Sequence, residues 1–194
     1  YRDGKWQAVV DPGETNRTGA DDMKFLDGDT VGSAVNGTVD PGLKEAPSKL
    51  ELTDDWAAAD YLVDPQDASK IRVFAAEAEP DRTDTVDGAT VKHYTRTSVA
   101  DIANKGTDVT DMFDIKVEGT VATATAKPDY LKTLKGMRKG LQLTLLVPFT
   151  VNFADGKGAA RVREDFGRKP GDEVTFCTSP DGKELTNKGS QTVN

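Results

Sequence analysis

The stretch LQLTLLVPFTVNF, residues 141–153, places Leu141, Leu143, Leu145, Val147, Phe149, Val151 and Phe153 in one phase of a two-residue repeat. Side chains two apart on an extended chain share a face, so these residues form an unbroken apolar row. Such a row predicts a strand packed on a core. Pro148 lacks a backbone donor and is expected at an edge or a bulge of that strand.

The same period recurs outward from this strand. Toward the N-terminus, Pro128 opens a short helix over Asp129–Lys135, with Tyr130, Leu131 and Leu134 as its apolar side. Phe113, Ile115 and Val117 alternate, Glu118-Gly119 turns the chain, and Thr120–Ala126 returns as a hairpin. Lys70–Ala76 reads as a strand with Ile71 and Val73 inward, and Leu50–Asp54 as a clear alternating strand followed by a helical turn over Trp56–Tyr61. Val31, Val35 and Val39 mark a further strand over Thr30–Val39, entered through an Asp27-Gly28 turn. Met23–Leu26 and Lys5–Val10 are short strands, the latter between an Asp3-Gly4 turn and Asp11-Pro12-Gly13. Two stretches lack apolar periodicity: residues 1–22 beyond that strand, and a polar insertion over 77–110 in which a strand between Val91 and Ile102 is only weakly patterned. After a charged loop over 154–172, Val174–Thr178, Pro180-Asp181-Gly182 and the final strand read as a terminal hairpin.

Many strands, one or two short helices in connections and no βαβ rhythm predict an all-β fold. It is an antiparallel, immunoglobulin-like β-sandwich occupying residues 1–194 as a single domain.

Composition narrows the function. The chain has 194 residues, 36% hydrophobic and 30% charged, with net charge −8. Its basic residues are scattered, which argues against nucleic-acid binding and against docking on an anionic membrane. No apolar run is long enough to cross a bilayer, and no signal peptide is expected in this segment of a longer protein. Cys177 is the sole cysteine, so no internal disulfide forms, and it reads as a small buried hydrophobe. With His93 the one histidine, neither a Ser–His–Asp site nor a multi-histidine zinc site is supported. The acidic stretches Asp11–Asp22 and Glu77–Asp87 lack EF-hand spacing and read as solvated loops; no metal or cofactor is expected. Asn16-Arg17-Thr18 and Asn36-Gly37-Thr38 match the glycosylation sequon, a pattern short enough to arise by chance.

Two polar residues break the expected apolar faces. In ELTNKGSQTVN, residues 184–194, the set Glu184, Thr186, Lys188, Ser190 and Thr192 is wholly polar and is expected to face water. Asn187 is thereby turned inward with Leu185, Gly189, Gln191 and Val193. In LELTD, Asp54 continues the face of Leu50 and Leu52. A buried amide or carboxylate needs hydrogen-bond partners or a chemical role. The plain readings are an amide bonded to backbone for Asn187 and a cap of the turn at Trp56 for Asp54.

The order of motifs supplies the other reading. GDTV (28–31), LELTDD (50–55), ADYL (59–62), KIRVF (70–74), DVTDMFDIKVEG (108–119), KPDYLKTLKG (127–136), LTLLVPFTV (143–151) and ELTNKGSQ (184–191) follow one another. Over residues 22–194 the chain resembles the isopeptide-forming domains of Gram-positive cell-wall-anchored adhesins and fimbrial proteins, including the C-terminal domains of antigen I/II-type adhesins. The resemblance implies a spontaneous Lys–Asn crosslink between the first and last strands, assisted by an acid, in domains stacked as stalks. By motif position Asn187 matches the asparagine and Asp54 the acid; Asp55 has the wrong parity. The lysine is Lys5 by best match, with Lys24 and a lysine preceding Tyr1 in the parent protein as alternatives. Gln191-Thr192 also resembles domains that form Thr–Gln esters.

Burial favours a neutral amine and a protonated acid together. The amine attacks the side-chain carbonyl of asparagine while the acid donates to its oxygen and shuttles protons; ammonia leaves and an amide remains. The chain turns over once and is not an enzyme in the usual sense. Closing a loop from Lys5 to Asn187 is worth about 5 kcal/mol by loop entropy. The expected role is a stalk domain at the cell surface, anchored to the wall through another part of the protein. Its partners are neighbouring domains. The alternative is a module binding a host receptor or glycan through its long loops.

Overall fold

The structure, a computed structural model, describes residues 1, 3–6, 24–25, 28–57, 66–95, 97–150, 174–175 and 188–194. The strands are β1 (Lys24–Phe25), β2 (Thr30–Val39), β3 (Leu50–Asp55), β4 (Arg72–Val86), β5 (Ala89–Thr95), β6 (Thr107–Asp108), β7 (Phe113–Glu118), β8 (Val121–Ala126), β9 (Gly140–Thr150), β10 (Val174–Thr175) and β11 (Lys188–Val193). The helices are α1 (Val99–Lys105) and α2 (Pro128–Thr133).

Alternation sorts nine of these strands into two antiparallel sheets that face each other, while β1 and β10 pair separately. One has the order β11-β3-β8-β7. The other runs β2-β9-β4-β5, with β6 added beside β4. β2, β9, β4, β3 and β8 place their in-phase apolar sets between the sheets. Val31, Val35 and Val39 come from β2, Leu143, Leu145, Val147 and Phe149 from β9, Val73 and Ala75 from β4. Leu50 and Leu52 of β3 and Ala122, Ala124 and Ala126 of β8 face them. Leu131 of α2 and Leu134 at its C-terminal cap add to this core at one end, where Tyr130 meets Phe113 with ring centroids 5.4 Å apart. The antiparallel sandwich expected from the sequence is the fold observed.

β9 is the strand that the periodicity marks most strongly, and it lies inside its sheet between β2 and β4. Its outward face is also buried. Gln142 and Thr144 are fully enclosed and Leu146 nearly so. The Gln142 side chain acts as a substitute peptide for Thr97: Oε1 accepts from the Thr97 nitrogen at 2.8 Å and Nε2 donates to the Thr97 carbonyl at 3.0 Å. Thr144 Oγ1 and Gln142 Nε2 both donate to Asn36 Oδ1. Asn36 of the second sequon therefore has its side-chain oxygen committed to a buried network. Pro148 pairs with Gly32 of β2 beyond the last β4 pair, Arg72 with Leu146. There β9 has β2 on one side only, the half-edge that a missing donor tolerates.

Two expectations change. The polar insertion is ordered: β4 and β5 run on past the sheet as a two-stranded ribbon through Asp87-Gly88, both at positive φ as a tight hairpin turn requires. Its described side chains from Arg82 to Thr90 are all exposed. The stretch 99–105 is a helix, capped by Ser98, whose Oγ accepts from the Asp101 nitrogen. β10 pairs with β1 and β11 pairs with β3; the terminal hairpin expected between them lies mostly outside the described residues. The loop over 154–172, Cys177, Pro180-Asp181-Gly182 and most of the turn expected over 56–61 lie outside the described residues.

Burial contrast sets the first expected outcome. Leu143→Ala should cost about 2–5 kcal/mol through lost transfer energy and cavity. Val86→Lys at the ribbon tip should leave the urea midpoint unchanged within about 0.5 kcal/mol.

The second concerns acid. Hydrogen bonds from the Ser69 backbone hold the Asp67 carboxyl below its ordinary range, and those from Lys105 and Ser98 do the same for Asp101. A lowered folded pKa contributes stability above the unfolded value, near pH 4, and loses it as the pH falls through the folded value. The urea midpoint should therefore fall between pH 5 and pH 2, and Asp101→Asn should shrink that fall.

Candidate functional site

The inward face of β3 reads Leu50, Leu52, Asp54, all fully buried. Next in phase is Trp56, 4% exposed, whose indole meets Phe149 edge-on at 5.3 Å. A carboxylate thus continues an apolar row, flanked by leucine and tryptophan along the strand. Across the ladder Asp54 stands opposite Ala122 of β8 on one side and Gly189 of β11 on the other.

The adjacent acid does the local work that Asp54 was open to. Asp55 points to the other face, and its Oδ1 accepts from the Ala57 nitrogen at 3.0 Å and from Thr120 Oγ1 at 3.1 Å. The turn at Trp56 is therefore capped by Asp55, which leaves Asp54 committed to the space between the sheets. Parity separates the two carboxylates as the sequence implied.

β11 supplies the neighbouring strand. Its register sets Gly189 beside Asp54, Gln191 beside Leu52 and Val193 beside Leu50. Beyond it, the Asn194 nitrogen donates to the Lys49 carbonyl at 2.9 Å and Ser48 Oγ donates to the Asn194 carbonyl at 2.9 Å. Glycines allow this strand to close on β2 of the opposite sheet. A Cβ on Gly189 would lie 2.3 Å from Val35 Cγ2, and one on Gly37 would lie 1.2 Å from Gln191 Oε1. The Gln191 side chain occupies the notch that Gly37 leaves, with Nε2 donating to the Thr38 carbonyl at 3.2 Å. Its buried Oε1 has no hydrogen-bond partner among the described residues.

Asn187 lies outside the described residues, as do the side chains of Lys24 and Lys188. Lys5 is exposed. It precedes Trp6, which rests on the outward face of β2: a Cβ on Gly32 would lie 2.7 Å from the indole. Asp54 faces the interior and Lys5 belongs to the far side of the β2-β9-β4-β5 sheet, so the described geometry does not bring them together. Among the described residues, no group of three or more histidine, cysteine, aspartate or glutamate side chains is arranged to hold a metal ion, and no helix is long and apolar enough to cross a membrane. Sequence reading did not single out Gly37 and Gly189. Their signal was the pairing of glycine with a bulky in-phase neighbour, legible only once the two sheets are superposed.

No family model matches the chain, and no curated protein matches it in sequence. Among solved structures it is similar to the pilus backbone RrgB of Streptococcus pneumoniae, at 9% identity and a TM-score of 0.41, covering 66% of this chain and 22% of that one. It is similar to the C-terminal domain of the antigen I/II-family protein AspA of Streptococcus pyogenes, at 15% identity and a TM-score of 0.43, covering 66% and 32%. A third is the C-terminal domain of the antigen I/II polypeptide BspA of Streptococcus agalactiae, at 14% identity and a TM-score of 0.43, covering 66% and 35%. The chain spans between 22% and 35% of the length of these structures.

The notch between Gly37 and Gln191 yields a double-mutant test. Gly37→Ala forces the glutamine out of its place and should cost about 1–3 kcal/mol. In a Gln191→Ala background the same change should cost clearly less, a coupling of at least about 0.5 kcal/mol. Additive urea-denaturation losses would mean that Gln191 does not fill the notch.

Proposed function

We propose that this chain is a structural stalk domain of a Gram-positive cell-surface adhesin or pilus-like protein, its terminal strand tied to the N-terminal region by a Lys–Asn isopeptide bond. One observation carries the reading: Asp54 is a fully buried carboxylate on the strand that receives the terminal strand, directly beside Gly189. Asn187 is two residues before Gly189 and in phase with it and with Gln191 in the sequence. The order of motifs supports the same assignment.

In this mechanism a neutral lysine Nζ attacks Cγ of Asn187, and Asp54 donates a hydrogen bond to the amide oxygen. Asp54 passes its proton to the departing nitrogen and takes one from the attacking lysine nitrogen; the C–N bond to the departing nitrogen breaks, ammonia leaves, and the new amide joins the side chains. The bond forms without oxidant or cofactor, and a reducing environment does not cleave it. A stalk that bears tension gains a covalent path through the domain. Lys5 is the first candidate, and its bond requires residues 1–6 to leave the outer face of the sheet. Lys24, on β1, is the second. The domain's partners are then its neighbours in the same surface protein, and its location is extracellular, anchored to the cell wall through a part of the protein beyond this chain.

A second reading is favoured by the exposed β4–β5 ribbon, whose described side chains from Arg82 to Thr90 are all open to solvent. On that reading the sandwich presents the ribbon to a host receptor or glycan.

Intact-mass measurement of the purified chain decides between them. The crosslinked protein should weigh one ammonia less than its sequence, and Asn187→Ala and Asp54→Ala should each restore the full mass. Lys5→Ala and Lys24→Ala then identify the amine. A full, unmodified mass in the unaltered chain would remove the crosslink and leave the ribbon as the better basis for function.

A further inference from the structure

The outward face of the β2-β9-β4-β5 sheet carries a second built contact, independent of Asp54. Gly32 of β2 and Leu146 of β9 are paired-strand neighbours on this face. A Cβ on Gly32 would lie 2.9 Å from Leu146 Cδ1 and 2.7 Å from the Trp6 indole, so the missing side chain makes the seat for the ring. Asn104 of α1 stands at the rim. Its Oδ1 accepts from the Trp6 nitrogen at 3.0 Å and its Nδ2 donates to the Trp6 carbonyl at 2.9 Å. That is the pairing a neighbouring strand would offer, supplied by one side chain. The Tyr1 nitrogen donates to the Thr30 carbonyl at 2.7 Å, and its ring meets the indole edge-on with centroids 5.2 Å apart. Between them Asp3 and Gly4 turn the segment at φ 52° and 74°.

These contacts read both the backbone and the side chain of one residue. The seat takes a flat ring where Gly32 leaves no side chain, and the amide fork takes an extended peptide at the same position. We propose that the cleft formed by Gly32, Leu146 and Asn104 is a docking site for a tryptophan-bearing segment, namely residues 1–6 of this chain. It is filled in cis in the isolated chain and able to take the same segment from a second copy. Which copy supplies the segment is a matter of concentration. A tethered segment competes at an effective concentration on the order of millimolar. In dilute solution the cis arrangement therefore dominates, and exchange between copies requires crowding at comparable local concentration, as in an array on one surface.

The test uses the full chain with Trp6→Ala, which empties the seat, and a labelled peptide of sequence YRDGKWQ as probe. The peptide should bind this variant saturably and about tenfold or more tighter than it binds the unaltered chain, where the cis segment competes. Adding Gly32→Val or Asn104→Ala should abolish that binding. Equal binding to the two chains, or none to the Trp6→Ala chain up to millimolar peptide, would overturn the proposal. A second measurement leaves Trp6 in place. With 5-fluorotryptophan incorporated, Asn104→Ala should move the Trp6 fluorine resonance toward its solvent-exposed position and leave that of Trp56 unmoved. An unmoved Trp6 resonance would equally overturn it.

Discussion

Burial of β9 on both faces is the constraint from which the rest of the arrangement follows. Its inner row closes the sandwich, but its outer row includes Gln142 and Thr144, fully enclosed polar side chains. A polar group removed from water without partners costs more than its burial returns. The partners come from elements remote in sequence: Asn36 of β2 and the Thr97 peptide between β5 and α1. Satisfying Gln142 therefore fixes where the chain crosses the sheet after the ribbon. That crossing sets α1 over the outer face with Ile102 buried beneath it, and α1 in turn presents Asn104 to the N-terminal segment.

Sequence period gave the strands wherever one face was wet. Thr30–Val39, Leu50–Asp55, the hairpin over 113–126 and the helix at Pro128 were legible because apolar and polar residues alternate there with the pleat or follow a proline start. The outer face of β9 was not legible, because polar residues at 142 and 144 look the same whether they meet water or an amide from a distant loop. Among the described side chains of α1 only Ile102 is buried, too few to give a helical period. The ribbon's described side chains are exposed on both sides, so they show no period. Its one clue was Asp87-Gly88 among threonines and valines. Proximity along the chain also gives no hint that Val174–Thr175 pairs with Lys24–Phe25.

The candidate site divides along the same line. Parity within β3 separated Asp54 from Asp55, and the structure gives each carboxylate the environment its face implies, one among Leu52, Trp56 and Gly189 and the other capping a turn. Parity has no power over a segment outside the sheet. Lys5 belongs to a stretch held by an indole on Gly32, a contact that depends on an absent side chain and leaves no period to read.

The backbone ladder between β11 and β3 has a property that shape must correct. Its hydrogen bonds repeat every two residues, so sliding the strand by two would preserve them and keep the same side chains inward. What distinguishes the correct position is size across the gap: Gly189 stands against the valine at 35, and Gln191 against the glycine at 37. A two-residue slide that brought Gln191 to the valine would set bulk against bulk and exchange the glutamine at the notch for Val193, which has no amide to offer the Thr38 carbonyl. The final strand is keyed like a lock bitting, large against small and small against large, and its alignment is specified by the opposite sheet rather than by the strand it bonds to.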